Sequence, residues 1–281
     1  MSSDLPKDEK NYCVKGVLVL SGTTPKRVIL WLVAIAIVSF AIGFGITAVS
    51  GGFSSIADRP NSPFTHTAWI ASNTTAFPLD GATSGNISII MGAGEITVDG
   101  GTRDHALMET TVFSKAPEWQ PYFSSALDNT TKTVGMTDKG HTGKAWFAVH
   151  SPNRWEIRIT DNVPVALDVN IGAGDCRLNL GAINLNNLNV HSGAGDTEID
   201  LDRYRGGRFD ATITSGIGDL TLKVPGSSNT RITAHQGVGD ITGSGFILNN
   251  GSYVTAGYNP ALPVNEIAVR QGVGSVRLEM V

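Results

Sequence analysis

Residues 167–201 read LDVNIGAGDCRLNLGAINLNNLNVHSGAGDTEIDL. Twice in this stretch a Gly-x-Gly-Asp unit separates runs in which apolar and polar residues alternate. Leu167, Val169 and Ile171 lead into Gly172-Ala-Gly174-Asp175, and Cys176, Leu178 and Leu180 lead out of it. Gly193-Ala-Gly195-Asp196 is followed in the same phase by Thr197, Ile199 and Leu201. A period of two is the signature of a half-buried strand, and this phase turns the residue after each Asp inward. Two further copies, Gly216-Ile-Gly218-Asp219 and Gly237-Val-Gly239-Asp240, continue the series at intervals of 21, 23 and 21 residues. Leu220, Leu222 and Val224 repeat the inward phase, as do Val276, Leu278 and Met280 near the end. Two copies deviate: Gly92-Ala-Gly94-Glu95 and Gly272-Val-Gly274-Ser275, the latter 35 residues after its predecessor. As the outermost copies in sequence they are expected to be the terminal rungs of the array. A second kind of corner, GAINLNN, DRYRGG or VPGSSN, separates successive copies, and no amphipathic helix of useful length intervenes. One strand pair cannot bury its apolar face alone, whereas stacked pairs share a continuous core. The expected fold is all-β: a β-solenoid, or a flattened two-sheet stack, with Gly-x-Gly-Asp corners, plus one N-terminal transmembrane helix.

Three chemistries compete for the Gly-x-Gly-Asp unit. Phosphate binding needs a helix after the glycine turn, with its N-terminus on the anion. A strand follows here each time, and no Gly-x-x-x-x-Gly-Lys-Ser/Thr occurs, which excludes a nucleotide loop. Calcium-binding β-rolls use tandem nonapeptides whose successive turns share an ion. The longer spacing and single Asp per unit fit them poorly, and no EF-hand pattern is present. In-register stacking would bring Asp175, Asp196, Asp219 and Asp240 into one column at about 5 Å spacing, which repels unless each is solvated or bonded to backbone N–H. The favoured reading is structural: glycine supplies φ > 0 and Asp caps the turn. The corner residues are therefore Gly92, Gly94, Gly172, Gly174, Asp175, Gly193, Gly195, Asp196, Gly216, Gly218, Asp219, Gly237, Gly239, Asp240, Gly272 and Gly274. No Gly-x-Ser-x-Gly or His-Glu-x-x-His occurs, and no two histidines share a metal-ligand spacing on one element. His191 and His235 fall on the outward phase. No cofactor, metal site or catalytic residue is expected.

The remainder of the chain supplies context. Its 281 residues carry a net charge of −4 without a basic stripe, which argues against a nucleic-acid partner. Residues 28–49, VILWLVAIAIVSFAIGFGITAV, are free of charge. At 1.5 Å per residue they reach about 33 Å, enough to cross a bilayer core of about 30 Å. Lys26 and Arg27 precede them and Arg59 is the next basic residue, so residues 1–27 are expected in the cytoplasm and the remainder outside. An uncleaved anchor is preferred to a signal peptide, whose apolar core would be shorter. Ala41 and Gly45 form a small-xxx-small pair, and a homo-oligomer is compatible with it. Cys13 and Cys176 then lie on opposite sides of the membrane and cannot pair within one chain. Cys176 reads as a small core residue.

Residues 50–85, rich in Ser, Thr, Gly and Pro, are assigned as a linker with some strand character near Trp69. Residues 86–281 form the extracytoplasmic domain, with its best-defined repeats over 163–281. Strands are expected at 86–91, 95–99, 105–113, 144–150 and 154–160, with a loop over 114–143. The aromatics Phe113, Trp119, Tyr122, Phe123, Trp146, Phe147 and Trp155 read as core or cap, with a carbohydrate-stacking surface as the sharper alternative. Asn73, Asn86, Asn129 and Asn250 head Asn-x-Ser/Thr sequons and are candidate glycosylation sites on the outer side.

The runs VPVALDVNIGAGDCRLNLGAINLNNLNVHSGAGDTEIDLDRYRGGRFDATITSGIGDLTLKVP, QGVGDITGSGF and NEIAVRQGVGSVRLE resemble the toastrack-type β-solenoid domain. That domain closes LiaF-like, cell-wall-active antibiotic response proteins and occurs in adhesin domains of prokaryotes. The resemblance covers 163–281 well and 86–162 loosely. It implies a membrane-tethered domain in envelope-stress sensing or envelope scaffolding. The first reading is a non-enzymatic, single-span envelope protein with a scaffolding, adhesion or stress-response role, whose solenoid binds a protein or envelope-polymer partner. LiaF-like proteins carry several N-terminal membrane helices and restrain a sensor kinase. The single helix expected here departs from that pattern and leaves a regulatory subunit as the second reading. An envelope carbohydrate-active enzyme using two of the outward carboxylates is the third.

Overall fold

Each alternating run forms a strand, and each Gly-x-Gly corner joins two strands into a rung. The computed structural model describes residues 70–71, 74–103, 105–114, 120–138, 153–204 and 206–281. All of them belong to the unit Thr67–Val281. The expected anchor at 28–49 and the strand expected at 144–150 lie outside the described residues, and among the described residues no helix is long and apolar enough to cross a membrane.

Six rungs carry the corner. The first is β3 (Ser84–Gly100) and the second is β8 (Val165–Asn179), each running through its corner as one strand. The others break there: β9 (Leu185–Ala194) with β10 (Thr197–Asp200), β11 (Asp210–Ile217) with β12 (Leu220–Val224), β13 (Thr230–Val238) with β14 (Ile241–Ser244), and β17 (Asn265–Val273) with β18 (Val276–Met280). The half of each rung before the corner is arm one, and the half after it is arm two. Arms pair only with like arms, in parallel and in register. Ile87, Leu167, Leu188, Ala211, Ile267 and Ile232 thus form one inward column of arm one. Ile96, Cys176, Thr197, Leu220, Val276 and Ile241 form another on arm two. Both arms contribute to a single apolar core, in which Ile89, Val98, Val169, Leu178, Leu222 and Leu278 are wholly buried. This is the all-β solenoid expected from the repeat.

The stack does not follow sequence order. The last pair, β17 with β18, lies between β11–β12 and β13–β14. The Gly272 copy is therefore an interior rung, not a terminal one. The chain leaves a slot one strand wide after Val224, and the final 17 residues fill it. The Gly92 copy is interior as well. Outside β3 sits a further rung of β6 (Thr131–Thr137) and β7 (Asn153–Ile159), parallel to it on arms one and two. The sequence between its two arms, residues 138–152, contains no Gly-x-Gly.

Antiparallel strands close one end of the stack on both arms and the other end on arm one. β5 (Tyr122–Asp128) pairs with β6, while β4 (Ala106–Ser114) pairs with β7 and carries β1 (Ile70–Ala71) and β2 (Thr75–Pro78). At the other end β15 (Ile247–Asn249) and β16 (Ser252–Val254) form a hairpin on β13. The β5–β6 hairpin corrects the loop expected over 114–143. Its β5 strand is exposed along its whole length, so no alternation marks it in the sequence. Residues 74–85, assigned to the linker, supply Phe77 to the core and Asp80 as an ion-pair partner for the buried Lys132.

Candidate functional site

The corner edge is the feature that every rung repeats, and its geometry explains why both glycines are there. The second glycine lies at positive φ in all six copies: +151° at Gly94, +123° at Gly174, +125° at Gly195, +134° at Gly218, +130° at Gly239 and +131° at Gly274. L-residues rarely adopt that region. The first glycine needs no such φ; it needs space. A Cβ on Gly172 would stand 2.5 Å from the Gly92 carbonyl oxygen, and one on Gly237 would stand 2.6 Å from that of Gly272. In the five rungs from β8 onward each glycine stacks on its counterpart's carbonyl in the neighbouring rung, and the obstruction is backbone that cannot turn aside; in β3, Gly94 meets the Asn153 carbonyl and Gly92 only the Asp138 side chain. Main-chain bonds run between the same levels: Gly195 N–H donates to Ile217 O at 2.8 Å, and Gly218 N–H to Val273 O at 3.0 Å.

The Asp column caps this edge from rung to rung. Asp175 Oδ1 accepts the N–H of Asp196 at 3.4 Å, Asp196 Oδ1 that of Asp219 at 2.9 Å, and Asp219 Oδ1 that of Ser275 at 2.9 Å. Each carboxylate thus serves the next rung and not its own turn, which offsets the repulsion a bare column would feel. Glu95, level with Asp175, turns instead to Arg177 at 2.7 Å. Asp240 stands on the last Gly-x-Gly rung, with no further rung to cap.

The residue between the glycines points outward, and the residue before them inward. Along the stack these two positions exchange character. Inside, Met91 and Ile171 give way to Ser192, Ser215, Gln271 and Gln236. Outside, Ala93, Ala173 and Ala194 give way to Ile217, Val273 and Val238, which are 60%, 45% and 58% exposed. The late glutamines hold the corner carbonyls from within: Gln271 Nε2 donates to Gly218 O at 2.7 Å and to Val273 O at 3.0 Å. As a motif, the Gly-Ile-Gly and Gly-Val-Gly units are equivalent to Gly-Ala-Gly. Their larger side chains are the signal in the sequence that this end of the edge differs.

The other sequence candidates are scattered. His191 and His235 are exposed on the outer face of arm one, and no group of three His, Cys, Asp or Glu among the described residues could hold a metal ion. Cys176 is buried, and burial pushes its thiol up to about 12. Asn129 and Asn250 lie in hairpin turns at φ of +52° and +48°, where Asn is favoured for its backbone geometry alone. Asn86 sits near the start of β3. Together with Ser88, Asp168, Asn187 and Asn189 it lines a shallow groove of about 340 Å³ on arm one. A second hollow of about 430 Å³, lined by Asp99, Asn179, Asp200 and Asp202, opens at the far end of arm two. Asn73 lies outside the described residues, as do Trp119, Trp146 and Phe147. Trp155 is core, Tyr122 is 62% exposed, and Phe123 packs on Phe77 with ring centroids 5.4 Å apart.

Parallel rungs stacked through glycine corners define a β-solenoid of the toast-rack type. Residues 67–223 match the family model for the N-terminal domain of toast_rack, DUF2154, and the chain belongs to that family. A crystal structure of a candidate cell adhesion protein from Clostridium sporogenes superposes with a TM-score of 0.71 at 22% identity, covering 76% of this chain and 100% of that one. A candidate adhesin from Parabacteroides merdae matches over 75% of this chain and 96% of its own, at 10% identity and a TM-score of 0.17. No curated protein matches the chain.

Proposed function

We propose that the protein is a membrane-tethered envelope protein whose solenoid stands outside the cell and acts by binding, as a scaffold or adhesion module, rather than by catalysis. The observation that carries this reading is the Asp column. The repeated carboxylates, the natural candidates for acid–base work, are taken up as backbone caps between rungs. A glycosidase would need two carboxyl groups with distinct environments about 5–9.5 Å apart. The repeat supplies equivalent ones instead. The fold shared with the C. sporogenes protein supports the same reading, since solenoids present long, regular faces to partners.

The test has two arms. Protease added to intact cells is expected to digest the solenoid and spare residues 1–27; protection of the solenoid would refute the outside placement. Replacing residues 28–49 with an unrelated anchor is expected to preserve function. Loss of function with intact display would favour a regulatory subunit that signals through its helix, and cross-linking in native membranes would then recover a kinase.

A further inference from the structure

The corner edge is polarised across its width as well as along its length. On its arm-two side stand Asp175, Asp196, Asp219 and Asp240. On its arm-one side, level by level, stand Asn170, His191, Thr214, Arg270 and His235, all able to donate hydrogen bonds. Between the two columns runs the ridge that ends in Ile217, Val273 and Val238. The fold accepts alanine at this ridge position, as Ala93, Ala173 and Ala194 show, so packing within the chain does not call for the larger residues. Among the described residues Arg270, like Arg103, Arg158 and Arg277, has no carboxylate partner, and of these four it alone stands beside the corner ridge.

We propose that this edge is a homodimer interface, with a second copy of the chain packed corner to corner about a two-fold axis parallel to the stack. That operation exchanges the two sides of the ridge and keeps every rung at its own level. Ridge meets ridge, and each acidic column faces the other copy's donor column. Asp240 comes level with the second copy's His235, and Asp196 with the second copy's His191. Arg270 lies on the rung between those of Asp219 and Asp240, one strand spacing of about 4.8 Å from each level, within reach of both across the interface. A two-fold axis perpendicular to the stack would set acid against acid. The self-complementarity of the edge is what selects a second copy over an unrelated partner, because an isologous contact requires it.

The test uses the full chain in detergent with Cys13 replaced by Ser. In this background V273C is expected to form a disulfide-linked dimer under mild oxidation, at least ten-fold more than T242C on the outer face of arm two. Each substitution replaces an exposed side chain, and a melting curve confirms the fold. R270D and D240K, each introduced beside V273C, are expected to lose the dimer when alone. Mixed together they are expected to recover it, because a mixed dimer sets the introduced aspartate of one copy against the introduced lysine of the other and keeps the native pair on the opposite side. Equal cross-linking of V273C and T242C would overturn the proposal. So would undiminished dimers of R270D or D240K alone, or failure of the mixture to recover them.

Discussion

The two ends of the corner edge make the same turn with opposite polarity. In the rungs of β3 and β8 the large apolar side chains, Met91 and Ile171, lie inside the turn and alanine lies outside. In the rungs of β11, β17 and β13 serine or glutamine lies inside, and isoleucine or valine stands in solvent. The backbone is held constant by the glycines, the positive φ and the carbonyl stacking. What these six corners share is therefore the glycine pair and the inward phase of the arms. The corner's outer residue is not among the shared features, and its identity reports on what the edge touches.

That contrast can be broken most severely by removing the rung that joins its late half. Truncation after Val264 deletes β17 and β18 and separates β11–β12 from β13–β14. The cooperative melt followed by circular dichroism is expected to disappear, and a truncated chain that melted like the intact one would show the inserted rung to be dispensable. Next in size, Ile171→Ala removes a buried side chain inside an early corner and is expected to cost about 2–5 kcal/mol, or roughly 5–15 °C in Tm for a domain of this size. Its counterpart Ile217→Ala, on the outside of a late corner, is expected to stay within about 0.5 kcal/mol of the parent. Similar losses for the two would erase the distinction.

Smaller effects sharpen the account. Asp219→Ala removes the cap on Ser275 N–H and is expected to cost about 1 kcal/mol, while Asp219→Asn keeps an acceptor oxygen and should recover most of it. Equal destabilisation by both would assign the role to charge rather than to capping. Cys176 lies behind the corner at the start of arm two, with its thiol held near 12 by burial. The folded chain disfavours the thiolate, so this group's contribution to stability is intact at neutral pH and falls as pH rises above the ordinary thiol range toward 12. A thiol reagent at about pH 8, below the ordinary thiol pKa, is expected to leave Cys176 unmodified until the chain is denatured.

Much of this architecture is legible in the sequence. The alternation after Asp175, Asp196, Asp219 and Ser275 places Cys176, Thr197, Leu220 and Val276 inward, and all four are buried; Ile241, after Asp240, is partly buried. The glycine pairs mark every corner of the repeat. The order of the rungs is not legible. Parallel in-register pairing sets which rungs touch, and a strand pair can enter any slot of matching width. The 35-residue interval before Gly272 is the trace of that insertion, because it houses the β15–β16 hairpin. β5 escapes notice because its exposed faces leave no period of two. Read along the chain, the Asp residues cap their own turns; in the fold their partner is one rung away, a relation fixed by stacking. The polarity of the edge emerges only when residues some twenty positions apart are set side by side.

The corner is a stack of glycine backbones whose intervening residue is free. Thermal melting of Gly195→Ala against Ala194→Val tests it most directly, since neighbouring residues of one corner are enlarged by small amounts. Gly195→Ala places a methyl group against the Gly174 carbonyl at a φ of +125° and is expected to lower Tm by several degrees. Ala194→Val is expected to leave Tm within about a degree or two. Equal Tm values for the two variants, or a greater loss for Ala194→Val, would contradict the account.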